Sequence, residues 1–446
     1  MTFQEFKEKI ICFSKELNIE EYELYYSMSN STSVETYKDD VKSYSTDSRM
    51  GVCYRMILDG KAGLASTENL TEEEALSLVK RALENAKSLE TEAPSFIHET
   101  GDTYAVISDS REENATGAEL VETALKLQKA IYDVDSRVVD GTQSEVASGT
   151  DVCAIYNSKG LDLEDRASYA IAYGVAILED GEEKYDGFEI KDGYLSDFKL
   201  DEIARGAVGE AASTIGAASV PTGKYNVVFT GKAFASLLST FSSMFSAEAA
   251  QKGLSLLAGK EGEKIAADMF TLIDDPMYKD CVFKRTFDGE GVATYAKNVI
   301  ENGNLKTLLH NLSTASKAGV KSTGNGLKGS YASPVGVGPF TFYVKPVDGT
   351  REDLFAEAGD GICIKDVSGL HAGANPLSGD FSLLASGHRF EAGKKTTPVK
   401  NITVSGNFYQ LMKDICRIGA DLEFNGISRK CGAPSILVKD MSIAGE

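Results

Sequence analysis

Histidine is scarce in this sequence, with four histidines among 446 residues. The seven cysteines are scattered, and no two of them form a C-x-x-C pair. Zinc sites usually need His, Cys and carboxylate ligands at short, regular spacings. The composition therefore offers little material for a metalloenzyme built from this chain alone. Scattered, unpaired thiols are typical of a reducing compartment, which predicts a cytoplasmic protein.

Positive charge is also in short supply, because 46 Lys and Arg residues face 67 Asp and Glu residues, for a net charge of −21. Proteins that bind nucleic acid or anionic membranes do so through excess Lys and Arg. No run approaches the ~18 apolar residues that a membrane span needs. The first residues, MTFQEFKEKI, lack the apolar core of a signal peptide. We therefore expect neither nucleic acid nor membrane as a partner.

Common catalytic motifs are missing as well. The sequence has no G-x-x-x-x-G-K-[ST] phosphate loop and no G-x-S-x-G nucleophile elbow. Residues 324–329 match G-x-G-x-x-G, but the following SYASPVGVGPF cannot form the helix that a dinucleotide site requires. We interpret this segment as a turn.

The N-terminal half alternates helix and strand signals. Three predicted capping boxes, Thr2 with Glu5, Thr71 with Glu74 and Thr116 with Glu119, each precede an amphipathic helical pattern. Long runs rich in β-branched and aromatic residues lie between these helices. Residues 1–218 are therefore predicted to be an α/β region of helices packed on antiparallel sheets. Possible sub-units are 1–94 and 95–218.

A second domain is predicted to begin at SVPTGKY, residues 219–225, where Pro and Gly break the preceding helix. A buried strand follows, and then an amphipathic helix from Lys232 to about Gln251. Beyond this helix the chain reads as short strands joined by Gly-containing turns. We expect 219–446 to be a mostly-β, barrel-like domain with one long helix, and the whole chain to be α+β.

The segment 359–393 contains seven glycines, His371 and His388. Glycine is used where the backbone needs positive φ or must approach another group closely. Two interpretations remain open from these residues alone. The segment is either a set of tight β turns or a functional loop.

Several separate motifs, in order, resemble the TldD/PmbA family over essentially the whole chain. They include TLIDDP (271–276), FDGEGVAT (287–294), GLHAGANPLSGDFSLLASG (369–387) and the C-terminal run ending in VKDMSIAGE. The resemblance implies a cytoplasmic metallopeptidase that processes or degrades unfolded peptides. An older family label, modulator of DNA gyrase, is not supported by the acidic charge.

The family contains two kinds of subunit, which pair as a heterodimer in the best-known case. The TldD kind carries H-E-x-x-x-H on the first helix of the C-terminal domain, and a cysteine near the C-terminus completes its zinc site. Here Ser239 and Met244 stand at the two His positions and Thr240 stands at the Glu position. Cys431 matches the cysteine. Ser, Thr and Met cannot replace two imidazoles and a general base. The resemblance therefore implies a TldE/PmbA-like subunit with no catalytic residue and no zinc of its own.

The resemblance also implies partners and a substrate surface. Zinc is expected in a TldD-like partner, with which this chain forms a heterodimer, unless it pairs with itself as a homodimer. His371, Asn375, Asp380 and Ser382 are predicted to line the substrate cleft. Two alternatives stay open: a self-sufficient peptidase using His371, His388 or Cys431, and a homodimeric peptide-binding or regulatory protein.

Overall fold

The computed structural model describes residues 1–90, 95–108, 111–427 and 430–446. The chain is α+β, as predicted, with helices, antiparallel sheets and a closed barrel in its C-terminal region. Among the described residues, no helix is long and apolar enough to cross a membrane.

The N-terminal region is built on one six-stranded antiparallel sheet in the order β3-β2-β1-β4-β5-β6. Its strands are β1 (Glu21–Tyr37), β2 (Asp40–Leu58), β3 (Lys61–Thr67), β4 (Gln143–Asn157), β5 (Asp162–Asp180) and β6 (Glu183–Gly193). Tyr26 in β1 pairs with Val52 in β2 on one side and with Ala154 in β4 on the other. Residues from both predicted sub-units therefore belong to one continuous sheet.

Four helices cover one face of this sheet: α1 (Phe3–Glu16), α2 (Glu72–Ser88), α3 (Gly117–Val134) and α4 (Leu200–Ala212). The first two share one apolar core and the last two share another. Two glycines let the edge strands approach the helices closely. A Cβ at Gly63 would lie 2.0 Å from the Ala82 carbonyl oxygen, and one at Gly187 would lie 2.2 Å from that of Ala207.

The predicted helix starts are largely confirmed. Thr2 and Thr116 form complete capping boxes with the glutamates three residues later. Thr71 accepts the backbone N–H of Glu74, but the Glu74 carboxylate pairs with Arg81 instead of returning to the cap. This third box is therefore only half formed, because a nearby guanidinium competes for the carboxylate.

The C-terminal domain contains a closed barrel of five strands. These are β7 (Gly223–Phe229), β14 (Gly361–Ser368), β15 (Asp380–Glu391), β16 (Lys394–Asn407) and β20 (Ile436–Ala444), and β16 pairs with β20 to close the ring. Strand β17 (Ile415–Ile418) extends the sheet beside β20. Apolar side chains on the inner face form the largest core of the protein.

A second six-stranded sheet lies beside the barrel, in the order β10-β9-β8-β13-β19-β18. Its strands are β8 (Leu272–Asp274), β9 (Lys297–Glu301), β10 (Asn304–Leu305), β13 (Phe342–Val344), β18 (Glu423–Phe424) and β19 (Cys431–Ala433). A separate hairpin joins β11 (Gly326–Lys328) to β12 (Val335–Val337). Four short helices, α7 (Leu312–Ala318), α8 (Arg351–Ala358), α9 (Leu370–Gly373) and α10 (Phe408–Asp414), complete the domain.

The long helix predicted over 232–251 is instead three consecutive helical segments. Helix α5 (Gly231–Phe241) continues into a 3-10 turn at 242–245, and α6 (Ala247–Gln251) follows. Ser246 separates the last two because it adopts an extended conformation and its side chain caps α6 by accepting the N–H of Ala249. Such a capping serine starts a new helix more readily than it continues an old one.

Candidate functional site

Helix α5 is fixed in the centre of the C-terminal domain. It begins directly after barrel strand β7, and the Thr230 hydroxyl caps it by accepting the N–H of Ala233. The same hydroxyl donates to the carbonyl of Lys365 in β14. Its apolar stripe, which includes Phe234, Leu238 and Phe241, is fully buried. The cap and the stripe together hold the position and rotation of this helix.

The residues at the expected zinc-binding positions are Ser239, Thr240 and Met244. The Thr240 hydroxyl donates to the carbonyl of Ser236 at 2.9 Å, within the helix. Met244 is completely buried in the core. Thr240 therefore hydrogen-bonds within its own helix, and Met244 packs in the apolar core. Neither side chain offers an imidazole or a carboxylate to a metal ion.

Cys431 lies where the sequence comparison placed the family's C-terminal cysteine, at the start of β19. Its thiol interacts with the hydroxyl of Ser239, so the structure brings the first ligand position and the cysteine position together. Cys431 is 2% exposed, and burial raises the pKa of its thiol to about 11. The thiolate that a zinc ion would bind is therefore disfavoured here.

The donor set does not fit zinc. A serine hydroxyl, a buried thioether and a protonated thiol lack the imidazole and carboxylate groups that a catalytic zinc needs. Among the residues that the structure describes, no group of three or more His, Cys, Asp or Glu side chains could hold a metal ion.

A buried ion pair lies next to this position. Lys297 Nζ is 3.1 Å from Asp274 Oδ2, and the two side chains are 6% and 0% exposed. Asp274 also accepts the amide of Asn325 at 2.7 Å and the backbone N–H of Phe340 at 2.8 Å. The Asp274 carboxylate also raises the pKa of the Cys431 thiol. The sequence analysis did not predict that these residues meet, because they come from four separated segments.

The four predicted cleft residues are all exposed on the segment 371–382. His371 lies on the short helix α9. The Asn375 carboxamide oxygen accepts the N–H groups of Leu377 and Ser378, so it shapes the turn in which it lies. Asp380 accepts the amide of Asn407 at 2.8 Å.

Ser382, in β15, accepts a hydrogen bond from Ser405 on the neighbouring strand β16. Of the four predicted residues, Asn375, Asp380 and Ser382 therefore have partners within the protein. His371 is the one imidazole among these four residues, and it is exposed on α9.

His388 is buried on the outer face of the barrel. It is 5% exposed, and its ring packs edge-on against Phe355 of α8. Neither ring nitrogen has a hydrogen-bond partner. Burial lowers the pKa of His388, and together with the positive charges of Lys395, Lys365 and Arg351 it brings the value to about 4. A buried, neutral histidine packed against an aromatic ring fills space and offers no base to a substrate.

A cleft of about 710 Å³ separates the edge strand β6 from the barrel. The exposed side of α5 contributes Lys232 and Ser236 to its wall. Other lining residues carry charges of both signs, including Lys184, Asp186, Glu210, Arg351, Lys365 and Glu423. Sequence reasoning missed these residues because they come from distant segments and belong to no recognisable motif.

Several of these charges are paired. Lys365 Nζ is 2.7 Å from Glu210 Oε2, which links the barrel to α4. Arg351 binds both Asp421 and Glu423 at 3.1 Å and 3.0 Å. The cleft is thus a pre-formed, mixed-charge groove of a size typical of ligand sites. An extended peptide with polar backbone groups matches such a surface.

The fold defines a class: an α+β protein with a helix-covered antiparallel sheet followed by a closed barrel, in which helix α5 carries no His, Cys, Asp or Glu side chain. Three family profiles match the chain in order. PmbA/TldA metallopeptidase domain 1 covers residues 22–86, the central domain 111–215 and the C-terminal domain 222–445. The chain belongs to the PmbA/TldD metallopeptidase family.

Individual relatives agree with this assignment. A Thermotoga maritima protein whose name carries the gyrase-modulator label is 32% identical, with a TM-score of 0.90 over 99% of this chain and 100% of its own. A PmbA metalloprotease homologue of Haemophilus influenzae is 25% identical over 90% of this chain and 87% of its own length. TldE of Thermococcus kodakarensis, 24% identical with a TM-score of 0.87 over 99% and 100% of the two chains, shares the fold.

Proposed function

We propose that this chain is the TldE/PmbA-like, non-catalytic subunit of a cytoplasmic TldD/TldE-type metallopeptidase that processes or degrades unfolded peptides. A TldD-like partner supplies the zinc. The observation that carries this proposal is the contact of Cys431 with Ser239. This contact supports the proposal because the resemblance implies that the helix and the C-terminal cysteine meet, whereas Ser239, Thr240 and Met244 cannot perform the chemistry of two imidazoles and a general base.

The mixed-charge cleft beside α5 gives this subunit its role in the assembly. Its walls, with Lys232 and Ser236 on α5 and Lys365 on the barrel, provide charged and polar groups along an open groove. A peptide held there in extended form could satisfy its backbone groups with these side chains. The subunit would thus orient the substrate, and a zinc ion held by the partner would supply the hydrolytic chemistry.

Co-expression with a zinc-bearing TldD-like chain tests the pairing. We expect the two chains to co-purify and the mixture to cleave an unfolded peptide such as reduced, denatured casein. The isolated chain should neither cleave it nor contain stoichiometric zinc. Activity of the mixture should be lost with a chelator. Absence of both association and a gain in activity would overturn the proposal, and zinc-dependent cleavage by the isolated chain would favour a self-sufficient peptidase.

The role of the cleft needs a separate variant. Ser236→Trp would fill the groove from the exposed side of α5, so we expect reduced peptide turnover with the heterodimer intact. Ser88→Trp, at an exposed position near the end of α2, is the matched control. Equal turnover by both variants would show that peptides do not use this groove.

A further inference from the structure

A group of charged side chains is buried between the N-terminal sheet and the C-terminal domain. Arg55 of β2 donates to Glu23 of β1, with Nη2 3.1 Å from Oε2. Its other terminal nitrogen, Nη1, is 3.8 Å from Oε1 of Glu290, which belongs to the FDGEGVAT segment. All three residues are 9% exposed or less. The guanidinium therefore links the sheet to the C-terminal domain.

Asp288 lies in the same segment and is 2% exposed. Its Oδ1 accepts the N–H groups of Glu290 at 2.8 Å and Val292 at 3.1 Å, and its Oδ2 accepts that of Gly326 at 2.8 Å. Glu290 Oε2 accepts one backbone N–H, from Leu312, at 2.7 Å.

The carboxyl groups of Asp288 and Glu290 both lie against Gly326. A Cβ at Gly326 would come within 3.0 Å of Asp288 Oδ2 and 3.2 Å of Glu290 Oε2. Because glycine has no side chain, both carboxyl groups fit against the backbone at this position.

Further contacts attach this segment to the sheet. Asp165 of β5 accepts both the N–H and the hydroxyl of Thr286, each at 2.7 Å. The Tyr104 hydroxyl donates to the carbonyl of Gly291 at 2.8 Å. The carboxyl pair therefore lies in the middle of the contact between the two domains.

The charges in this contact do not balance if every group is ionised. Three carboxylates, Glu23, Asp288 and Glu290, face two cations, Arg55 and Lys328. Asp165 and Arg285, which lie close to the pair, offset each other. Tyr25 and Tyr104 also face Asp288, and the thiols of Cys53 and Cys153 lie near Lys328.

One retained proton removes the imbalance. Burial raises the pKa of both Asp288 and Glu290, and the neighbouring Glu290 carboxylate raises that of Asp288 further. Three N–H groups favour the ionised form of Asp288, and the Arg55 guanidinium, 3.8 Å from Glu290, favours the ionised form of Glu290. The retained proton therefore belongs to the pair and is not assigned to one of its two carboxyl groups.

We propose that Asp288 and Glu290 form a pH-sensitive clasp. The clasp holds residues 286–294 against the N-terminal sheet while one of the two carboxyl groups keeps its proton. It loosens that contact when the proton is lost above neutral pH, since the buried group of charges then carries a net negative charge. The clasp is independent of zinc and of any peptidase activity.

Hydrogen exchange of the full-length chain tests the clasp directly. Protection factors, corrected for the intrinsic effect of pH, are measured for residues 286–294 and 324–331 at pH 6.5 and pH 9. In the wild-type protein we expect protection to fall by up to about tenfold per pH unit once the proton is lost. Glu290→Gln replaces one of the two carboxyl groups with a neutral amide, so the remaining charges balance without a retained proton and protection should not change with pH.

Two more variants separate charge from structure. Glu122→Gln, at an exposed carboxylate on α3, is the matched control and should behave like the wild type. Glu23→Gln removes one carboxylate from the group, so the fully ionised pair becomes balanced and protection should persist at pH 9. Hydrogen exchange of Glu23→Gln also tests the proposal if Glu290→Gln does not fold. Constant wild-type protection, or an equal loss in Glu23→Gln, would overturn the clasp.

Discussion

The buried thiol of Cys431 interacts with the hydroxyl of Ser239. The contact joins β19 to α5, two elements separated by almost the whole C-terminal domain in sequence. Cys431 and Met244 are both buried in the core, so substitutions that change the polarity of these side chains should destabilise the protein.

Met244→His is expected to destabilise the protein. Met244 is completely buried among apolar side chains, and a buried imidazole without partners costs about 1–3 kcal/mol in addition to the lost packing. Chemical denaturation would measure the loss of unfolding free energy. Met244→Leu, which preserves volume and polarity, should cost less than about 1.5 kcal/mol. Stabilisation of the histidine variant by added zinc would show that a metal site persists.

Alkylation should distinguish the cysteines by their burial. Cys12 is exposed, whereas Cys431 is 2% exposed and its thiol has a pKa of about 11. At pH 8 only about one Cys431 thiol in a thousand is ionised, and the thiolate is the reactive form. Mass spectrometry after iodoacetamide treatment should show Cys12 modified first. Denatured protein, in which all seven thiols react, is the control, and early modification of Cys431 would contradict its burial.

The sequence predicted the parts of the fold that depend on local signals. Helices α1 and α3 begin at Thr2 and Thr116 because a capping box can be recognised within four residues. The closed barrel agrees with the regular turns of the C-terminal half. The break in the helix at Ser246 was missed because a serine can cap or continue a helix, and tertiary packing decides which.

The histidines show why the candidate site was harder to predict. In β15, Ser382 and His388 lie on the same outward face of the barrel, yet Ser382 is exposed and His388 is buried. The difference arises because Phe355 of α8 covers only one end of the strand. Strand periodicity predicts on which face of the sheet a side chain lies, but it does not predict which other element covers that face.

Lys297→Met should be strongly destabilising. It would leave the Asp274 carboxylate buried without its cation, and breaking such a pair typically costs about 3–5 kcal/mol. Thermal and chemical unfolding measure the effect. The double variant with Asp274→Asn should recover part of the loss, since no unpaired charge remains.

Lys264→Met serves as the control for that substitution, because its partner Asp268 is 82% exposed. Exposed pairs of this kind contribute about 0–1 kcal/mol. Equal losses in the two lysine variants would mean that burial does not set the strength of the Asp274–Lys297 pair.

His388→Leu should change how stability depends on pH. The pKa of His388 is lowered to about 4 in the folded protein, against an ordinary value of 6.5. Between these values the unfolded chain binds a proton that the folded chain does not, so the neutral histidine costs stability as pH falls. The loss reaches about 3 kcal/mol at pH 4. The leucine variant lacks this cost, so its stability relative to wild type should rise progressively from pH 7 to pH 4. His371→Leu, at an exposed histidine, is the matched control, and parallel pH profiles for wild type and His388→Leu would refute the buried, neutral state.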